Sequence, residues 1–536
     1  TNASAAEMRQ RMATALEKAV KANPESQHLR RQLTLVNKAQ ISTLHSFCLA
    51  IVKQYAYLLN IDPGFRIANE NEAALLKDDT MAEVLEAAYD VADPSEMYRL
   101  VDAFTSDRND QDIEVLIEKL YDMARVNPEP FRWLDDLPER YNMDGVTSLD
   151  ELDFVQSIRQ TMVHSVDEAI ALILEVRALA NTPNGPDAYG ETAQADLILL
   201  HEARAFLNER SWEEAYAFFT AFKWGKLKAQ KKGTCDELLL GRAKAKRNDA
   251  KKVLTDATEQ FFSRSPERLL EEMQHMYPLM QTLVELTKQF TVAYSAAKNK
   301  KGIVDFSDLE HFALAILTQE VDGKIVASDV AKAYEARFKE VLVDEYQDTN
   351  RLQETILQLV KAGAEADGNL FMVGDVKQSI YRFRLAEPGL FLDKYARFTE
   401  QAENTGMKID LNANFRSRHE VLDGTNYIFK QIMSEEVGEI DYDDAAALKP
   451  QAPYAELDMP ITLAVLHTPE LEEEAETPEL QAEEEMKKSQ LEARYIIGQI
   501  KQLIDTGAQV YDAYEKDAAG NPMKRDMEYR DIVILM

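Results

Sequence analysis

Cysteine is nearly absent. Cys48 and Cys235 are the two in 536 residues, too few by themselves for a disulfide framework or a cysteine-ligated metal centre. Such usage fits a reducing cytoplasm. No uninterrupted apolar run is long enough to span a bilayer, and no basic-then-apolar leader is read, so no membrane contact is expected. Positive charge is also in short supply: 61 Lys and Arg stand against 94 Asp and Glu, a net charge of −33. That balance argues against a simple electrostatic DNA binder. A Gly-x-x-x-x-Gly-Lys-Ser/Thr loop, which would cradle phosphates with backbone N–H groups, is missing from the sequence.

What is present is ordinary for a large globular protein: 45% apolar and 29% charged residues. The length exceeds a single core and suggests about three to four domains. Charge is unevenly spread. Residues 469–486 form an acidic run with two prolines, read as a solvated linker. Residues 223–252 hold 11 Lys or Arg against 3 acids. This basic segment, with Lys244, Lys246 and Arg247, is either a contact for a polyanion or a solvated helical face, and charge alone does not separate the two.

Apolar spacing and capping residues predict helices over residues 3–21 and 44–59, with a short strand at 40–43. From about residue 69 to 299 helical spacing recurs without a fixed period, at 73–89, 113–125, 155–178, 194–207 and 269–296. An all-helical block that is no repeat solenoid is expected there. Strands return at 341–343, 370–373, 461–466 and 532–535, with helices at 351–361 and 416–433 between them. That alternation predicts a mostly parallel sheet covered by helices, an α/β domain interrupted by a helical insertion.

Three segments carry chemistry. In Val341-Leu342-Val343-Asp344-Glu345-Tyr346-Gln347-Asp348-Thr349-Asn350, a buried-strand pattern runs into adjacent carboxylates. One acid can hold Mg²⁺ through water while the other polarises a water against a γ-phosphate. Alone, such a run also describes a strand meeting solvent. In Val373-Gly374-Asp375-Val376-Lys377-Gln378-Ser379-Ile380-Tyr381-Arg382-Phe383-Arg384, Gln378 could bridge a phosphate and the rest of the segment. Tyr381 and Phe383, two apart as on one side of an extended backbone, could stack unpaired bases with Arg382 or Arg384 on phosphates, unless both rings are core aromatics. In Leu411-Asn412-Ala413-Asn414-Phe415-Arg416-Ser417-Arg418, the guanidinium of Arg416 could reach a nucleotide and stabilise a leaving phosphate.

In order and spacing these segments resemble motifs of UvrD-like superfamily 1A helicases. Thr1-Asn2-Ala3-Ser4-Ala5-Ala6-Glu7-Met8 and Ser42-Thr43-Leu44-His45-Ser46-Phe47-Cys48 resemble the first DNA-contacting motifs. Asp305-Phe306-Ser307-Asp308-Leu309 resembles the return from the helical insertion. Within that superfamily the chain looks most like the AddA (RexA) group of bacterial helicase–nuclease subunits. It departs from the UvrD pattern at Leu385, where a glycine would follow Arg384.

The resemblance implies a P-loop (RecA-like) motor domain 1A over residues 1–68 and 301–434, a helical insertion 1B over 69–300, and the start of motor domain 2A over 435–536. It implies ATP and Mg²⁺ as cofactors, with Asp344 and Glu345 at the metal, Glu345 activating water, and Gln378 and Arg416 sensing the γ-phosphate. Gln347 would be a further phosphate-region contact. Thr1, Asn2, Thr43, His45, Tyr381, Phe383 and Arg384 would line the path of single-stranded DNA. An AddB (RexB)-type subunit is the implied partner, single-stranded and duplex-end DNA the substrate, and the bacterial cytoplasm at the nucleoid the location. Both ends read as cut, so the phosphate loop is expected before Thr1 and the later helicase motifs and nuclease domain after Met536. The rival readings are a stand-alone UvrD-type helicase, a DNA-binding scaffold without hydrolysis, and an acidic helical protein-binding module.

Overall fold

The computed structural model describes the chain except residues 1, 106–109, 232, 364–367, 402–405, 453, 455–460, 467–477, 517–521 and 536, with backbone alone at 436, 478–487, 512–516 and 522. Two compact units divide after Lys408.

The first unit opens with α1 (Asn2–Ala22), α2 (Gln27–Leu35) and α3 (Leu44–Tyr55). Residues 40–43, expected as a strand, are not one: the segment has no ladder partner among the described residues, and Thr43 instead accepts from the Ser46 N–H as the N-cap of α3. A two-residue strand, β1 (Arg66–Ile67), pairs in parallel with β2 (Ile303–Val304), and everything described between them is helical or irregular. These helices are α4 (Glu70–Tyr89), α5 (Ser95–Phe104), α6 (Gln111–Arg125), α7 (Pro130–Glu139), α8 (Asp153–Ala180), α9 (Ala188–Glu209), α10 (Trp212–Ala221), α11 (Glu237–Phe262) and α12 (Pro266–Lys301).

The block contains two main cores. One runs along α8 to α11 through Met162, Val166, Ile173, Leu200, Trp212, Phe219 and Leu254. The other joins α4, α5 and α6 to α12 through Leu100, Ile113, Ile117, Phe290 and Tyr294. Each fully buried Leu or Ile contributes roughly 1.5–3 kcal/mol, so these helices need no sheet to hold them. Helix α12 starts on the Ser265 cap with Pro266 in its first turn, and ends at Gly302, whose φ of 64° closes the helix in the left-handed conformation before β2.

After β2 come α13 (Phe306–Leu317), a hairpin of β3 (Thr318–Val321) and β4 (Lys324–Ala327), α14 (Asp329–Arg337), β5 (Val341–Val343), α15 (Arg351–Val360), β6 (Leu370–Met372) and α16 (Gly389–Arg397). Their core unites Cys48, Ile51 and Val52 of α3 with Leu309 and Ala313 of α13 and Leu352 and Ile356 of α15. Strands β5 and β6 pair in parallel, Leu342 beside Phe371. Those two side chains stay exposed, at 66% and 52%, whereas parallel sheets are generally covered on both faces.

The second unit holds β7 (Ala413–Asn414), α17 (His419–Ile432), α18 (Glu435–Gly438), β8 (Lys449–Pro450), α19 (Pro478–Asp505), and an antiparallel pair, β9 (Gln509–Lys516) with β10 (Pro522–Asp526). Because β7 pairs with β8, the Asn412–Arg418 motif packs with the residues after it, and the units part earlier than the 434/435 boundary expected from sequence. Residues 461–466 and 532–535 are not strands: Leu463, Val465, Val533 and Leu535 are exposed on backbone with no ladder partner among the described residues. An apolar run becomes a strand only beside another edge. The first half of the acidic run lies outside the described residues, and from Pro478 the backbone is helix rather than linker.

Candidate nucleotide site and nucleic-acid interface

Strand β5 delivers Asp344 and Glu345 to its C-terminal end, both exposed. The chain then turns sharply. Glu345 has φ 51° and ψ 45°, the left-handed region, and leads into a 3₁₀ turn over Tyr346–Asp348. For a residue with a Cβ this costs about 1–2 kcal/mol, and strain of this kind concentrates at functional sites. Three backbone bonds hold the turn: the Tyr346 N–H donates to the Val373 carbonyl at 2.9 Å, the Asp348 N–H to that of Glu345 at 3.0 Å, and the Thr349 N–H to that of Tyr346 at 3.2 Å.

Gln347 is 1% exposed, and both ends of its amide are occupied by protein. Its Nε2 donates to Glu345 Oε2 at 2.7 Å, while its Oε1 accepts from the Asp375 N–H at 3.0 Å. The expected phosphate contact is therefore corrected to an internal bridge. Gly374 makes room for it: a Cβ there would lie 2.5 Å from Gln347 Oε1 and 3.2 Å from the Tyr346 nitrogen.

Asp375 is the next link, one that the motif contained but sequence reasoning left without a role. It accepts from Gln378 Nε2 at 2.9 Å and the Lys377 N–H at 3.1 Å, and pairs with Lys377 Nζ at 2.9 Å. Burial pushes its pKa up, but the bonds from Lys377 and Gln378 and the lysine charge outweigh burial and hold it below the usual range. Its place as cap of the turn Val376–Gln378 is the signal that could have found it.

Beyond that turn, Arg382–Arg384 form another 3₁₀ turn, not the extended backbone expected. The rings of Tyr381 and Phe383 nonetheless lie together, centroids 6.0 Å apart, with the Arg384 guanidinium 5.3 Å and 5.5 Å from them. Phe383 is 75% exposed, so these are not core aromatics. Leu385 follows with φ 63°, which explains why a glycine suits that position.

The expected DNA-path residues at the amino-terminal end gather separately. Ser46 Oγ donates to Asn2 Oδ1 at 3.1 Å and Thr43 Oγ1 to Ser46 Oγ at 2.9 Å. His45 pairs through Nε2 with Glu310 at 3.3 Å and meets Phe306 edge-on at 5.2 Å. Thr1 lies outside the described residues. Arg416, in the second unit, is exposed, and its guanidinium makes no ion pair among the described residues. The Asn414 side chain anchors the local turn by accepting from the N–H groups of Arg416 and Ser417.

The basic segment divides. Lys244 is exposed, and Lys246 pairs with Glu175 at 3.0 Å. Arg247 is corrected outright. It is 2% exposed, its Nε and Nη2 bind the fully buried Asp196 at 2.7 and 3.2 Å, and Nη2 also donates to the Gly225 carbonyl. It cannot meet a DNA phosphate without leaving a buried carboxylate unpaired. The Asp305–Leu309 motif is likewise structural: Asp305 and Asp308 form the capping box of α13, and Lys298 of α12 and Arg125 of α6 bind them from the helical block.

Asp344 and Glu345 have no Lys or Arg partner among the described residues, and behind them Asp348 keeps one buried carboxylate oxygen without a hydrogen bond. Burial, then the charge of Glu345, raises the Asp348 pKa. No cluster of three or more candidate metal ligands occurs among the described residues. A cation here would depend on one or two carboxylates plus water and phosphate oxygens, the mode Mg²⁺ favours.

A parallel strand ending in open carboxylates, wired to a second strand-end loop, is the arrangement of a P-loop NTPase of the α/β class. The chain belongs to the UvrD/REP helicase family: residues 1–399 match that family's N-terminal domain. Over its full length it is 57% identical to the ATP-dependent helicase/nuclease A subunit of Lysinibacillus sphaericus, covering 44% of that protein. It is 47% identical to the subunit of that name from Bacillus cytotoxicus and 48% identical to that from Bacillus anthracis, covering 42% of each. The chain thus spans less than half the length of the curated relatives it matches. No described helix is long and apolar enough to cross a membrane.

Proposed function

We propose that this chain is the amino-terminal motor region of an ATP-driven translocase that moves 3′ to 5′ on single-stranded DNA, within a helicase–nuclease that processes double-strand breaks for recombination in the bacterial cytoplasm. An AddB-type subunit is its partner, and nuclease activity belongs to the remainder of the polypeptide. Residues 1–68 and 301–408 serve as motor domain 1A, 69–300 as insertion 1B, and residues from 409 onward begin 2A. One observation carries this reading: Glu345, Gln347, Asp375 and Gln378 form a continuous hydrogen-bonded chain from the strand-end acids toward the exposed rings of Tyr381 and Phe383. Such a connection lets occupancy by DNA alter the acid that acts on ATP.

Asp344 would hold Mg²⁺, with Glu345 beside it. When bound, the metal neutralises charge on the β- and γ-phosphates. Glu345, oriented by Gln347, takes a proton from the attacking water. Gln378 contacts the γ-phosphate region. Asn2, Thr43 and His45, with Tyr381, Phe383 and Arg384, receive the strand, and Lys244 adds a phosphate contact to a duplex. The exposed Leu342 and Phe371 fit a sheet completed by other parts of the polypeptide, among them a phosphate loop. Phosphate release by the intact polypeptide, with and without single-stranded oligo(dT), tests the reading. Stimulation by DNA is expected, and hydrolysis indifferent to DNA would contradict it.

A further inference from the structure

Glu310 is an acid that the nucleotide chemistry does not use. It lies on α13, 4% exposed, where an ionised carboxylate is costly unless its oxygens are paired. Two groups meet its Oε1, one from the Ser42–Cys48 motif and one from α15, just after the carboxylate-bearing segment. Gln353 Nε2 donates at 2.8 Å, and His45 Nε2 sits at 3.3 Å. Gln353 in turn forms a capping box with Asn350, the last residue of the carboxylate-bearing segment, and so fixes the start of α15. His45 belongs to the segment with Thr43 and Ser46, whose hydroxyls engage Asn2. Its side chain is 42% exposed, so one edge is held by Glu310 while part of the ring remains open. Phe306, also from α13, closes edge-on against the same imidazole at 5.2 Å.

We infer that Glu310 is the positioning residue for His45, setting the imidazole for contact with single-stranded DNA and tying that setting to the Asn350–Gln353 turn beyond the candidate ATP site. This rests on the proposed DNA path. The electrostatics support it independently of the motifs. Burial raises the Glu310 pKa, and the opposing influences are His45, then Gln353, then Arg125. The carboxylate therefore depends on the groups it organises. Cys48, the neighbour on α3, is pushed up by burial first and by the charge of Glu310 second, and as a neutral thiol it offers no compensation. Glu310 thus has two polar anchors, His45 in one motif and Gln353 in the first turn of α15, and a fixed ring between it and solvent.

The test uses the intact polypeptide, a labelled oligo(dT), and oligo(dT)-stimulated ATP hydrolysis. Glu310→Gln should raise the half-saturating oligo(dT) concentration about tenfold while the maximal rate falls less than about twofold. His45→Ala should give a similar rise, and combining it with Glu310→Gln should add little, because both remove one contact. A buried acid that only stabilises the fold would instead give additive losses, or a lower melting temperature with unaltered DNA affinity, and either result overturns the inference. Should Glu310→Gln fail to fold, Gln353→Met, which leaves the carboxylate in place, should raise the same concentration about threefold, and wild-type affinity in that variant would be equally contrary. Failure of the unaltered protein to bind oligo(dT) would contradict the proposed function itself as well as this inference. Normal binding by the unaltered protein and by Glu310→Gln alike would sink the inference alone.

Discussion

Arg247 and Arg384 carry the same charge in opposite settings. Arg247, on α11, faces a carboxylate with no exposed surface and a backbone carbonyl, and Trp224 lies 5.8 Å from its guanidinium. Arg384, in the loop after β6, lies over two rings that face solvent. The segment around Arg247 is the richest in Lys and Arg in an otherwise acidic chain, yet its central arginine closes a core. Only a few positive charges accompany Tyr381 and Phe383, and there the cation stays open. In the helical block Arg247 is closed against Asp196, whereas at the ends of β5 and β6 Asp344, Glu345 and Arg384 stay exposed. Local charge density therefore says less about ligands than which charges the fold leaves unpaired.

Breaking the closed arginine should have the largest effect on stability. Arg247→Ala strands Asp196 in the core, and the expected loss is about 3–5 kcal/mol in chemical denaturation. Where the variant remains folded, oligo(dT) affinity should match wild type. A stable variant that binds DNA poorly would reverse the comparison.

His311 tests the closed side by pH. Its Nε2 contacts the Arg125 carbonyl, and burial, then the Arg125 charge, lowers its pKa from 6.5 to about 4. A depressed folded pKa means the neutral ring's stabilisation is complete above the unfolded value and disappears as pH falls through the folded one. The window is pH 6.5 down to about 4, and at about 1.4 kcal/mol per unit the stake is roughly 3 kcal/mol. His311→Gln should flatten the fall in stability across that window, and an unchanged slope would mean other groups cause it.

On the open side, Phe383→Ala removes one face of the proposed stacking pair. Oligo(dT) binding should weaken by about 1–3 kcal/mol with little change in melting temperature. Loss of stability with intact binding would make the ring a packing residue after all.

Much of this was legible in the sequence. Asp344 and Glu345 stand at the end of a parallel strand, and the exposed rings lie where interleaved arginines suggested. Periodicity located α4, α6, α8, α9 and α12 because each buries one face in the helical block, whereas α11 and the start of α19 lie in segments read for their charge. The misses have physical causes. Arg247 meets Asp196 across 51 positions, and nothing local in a basic run reveals such a partner. The Gln347–Asp375 bridge joins segments that meet only once β5 and β6 pair. Residues 461–466 and 532–535 have strand composition, but composition does not supply a neighbouring edge. The β3–β4 hairpin was readable yet unread: Asp322-Gly323, between Val321 and Lys324, is a strong turn signal, and both have positive φ, 52° and 72°.

The central claim is that Glu345, held by Gln347 in a left-handed turn, is the base of an ATP-driven motor. Glu345→Gln in the intact polypeptide keeps the shape and one amide oxygen for the Gln347 bond, but cannot take a proton. Nucleotide affinity and oligo(dT)-stimulated hydrolysis measured on that variant decide the matter. The account predicts that ATP still binds while turnover falls by about 10² or more. Normal turnover in Glu345→Gln would contradict it, leaving Asp344 and Glu345 as acids that merely end a strand at the surface.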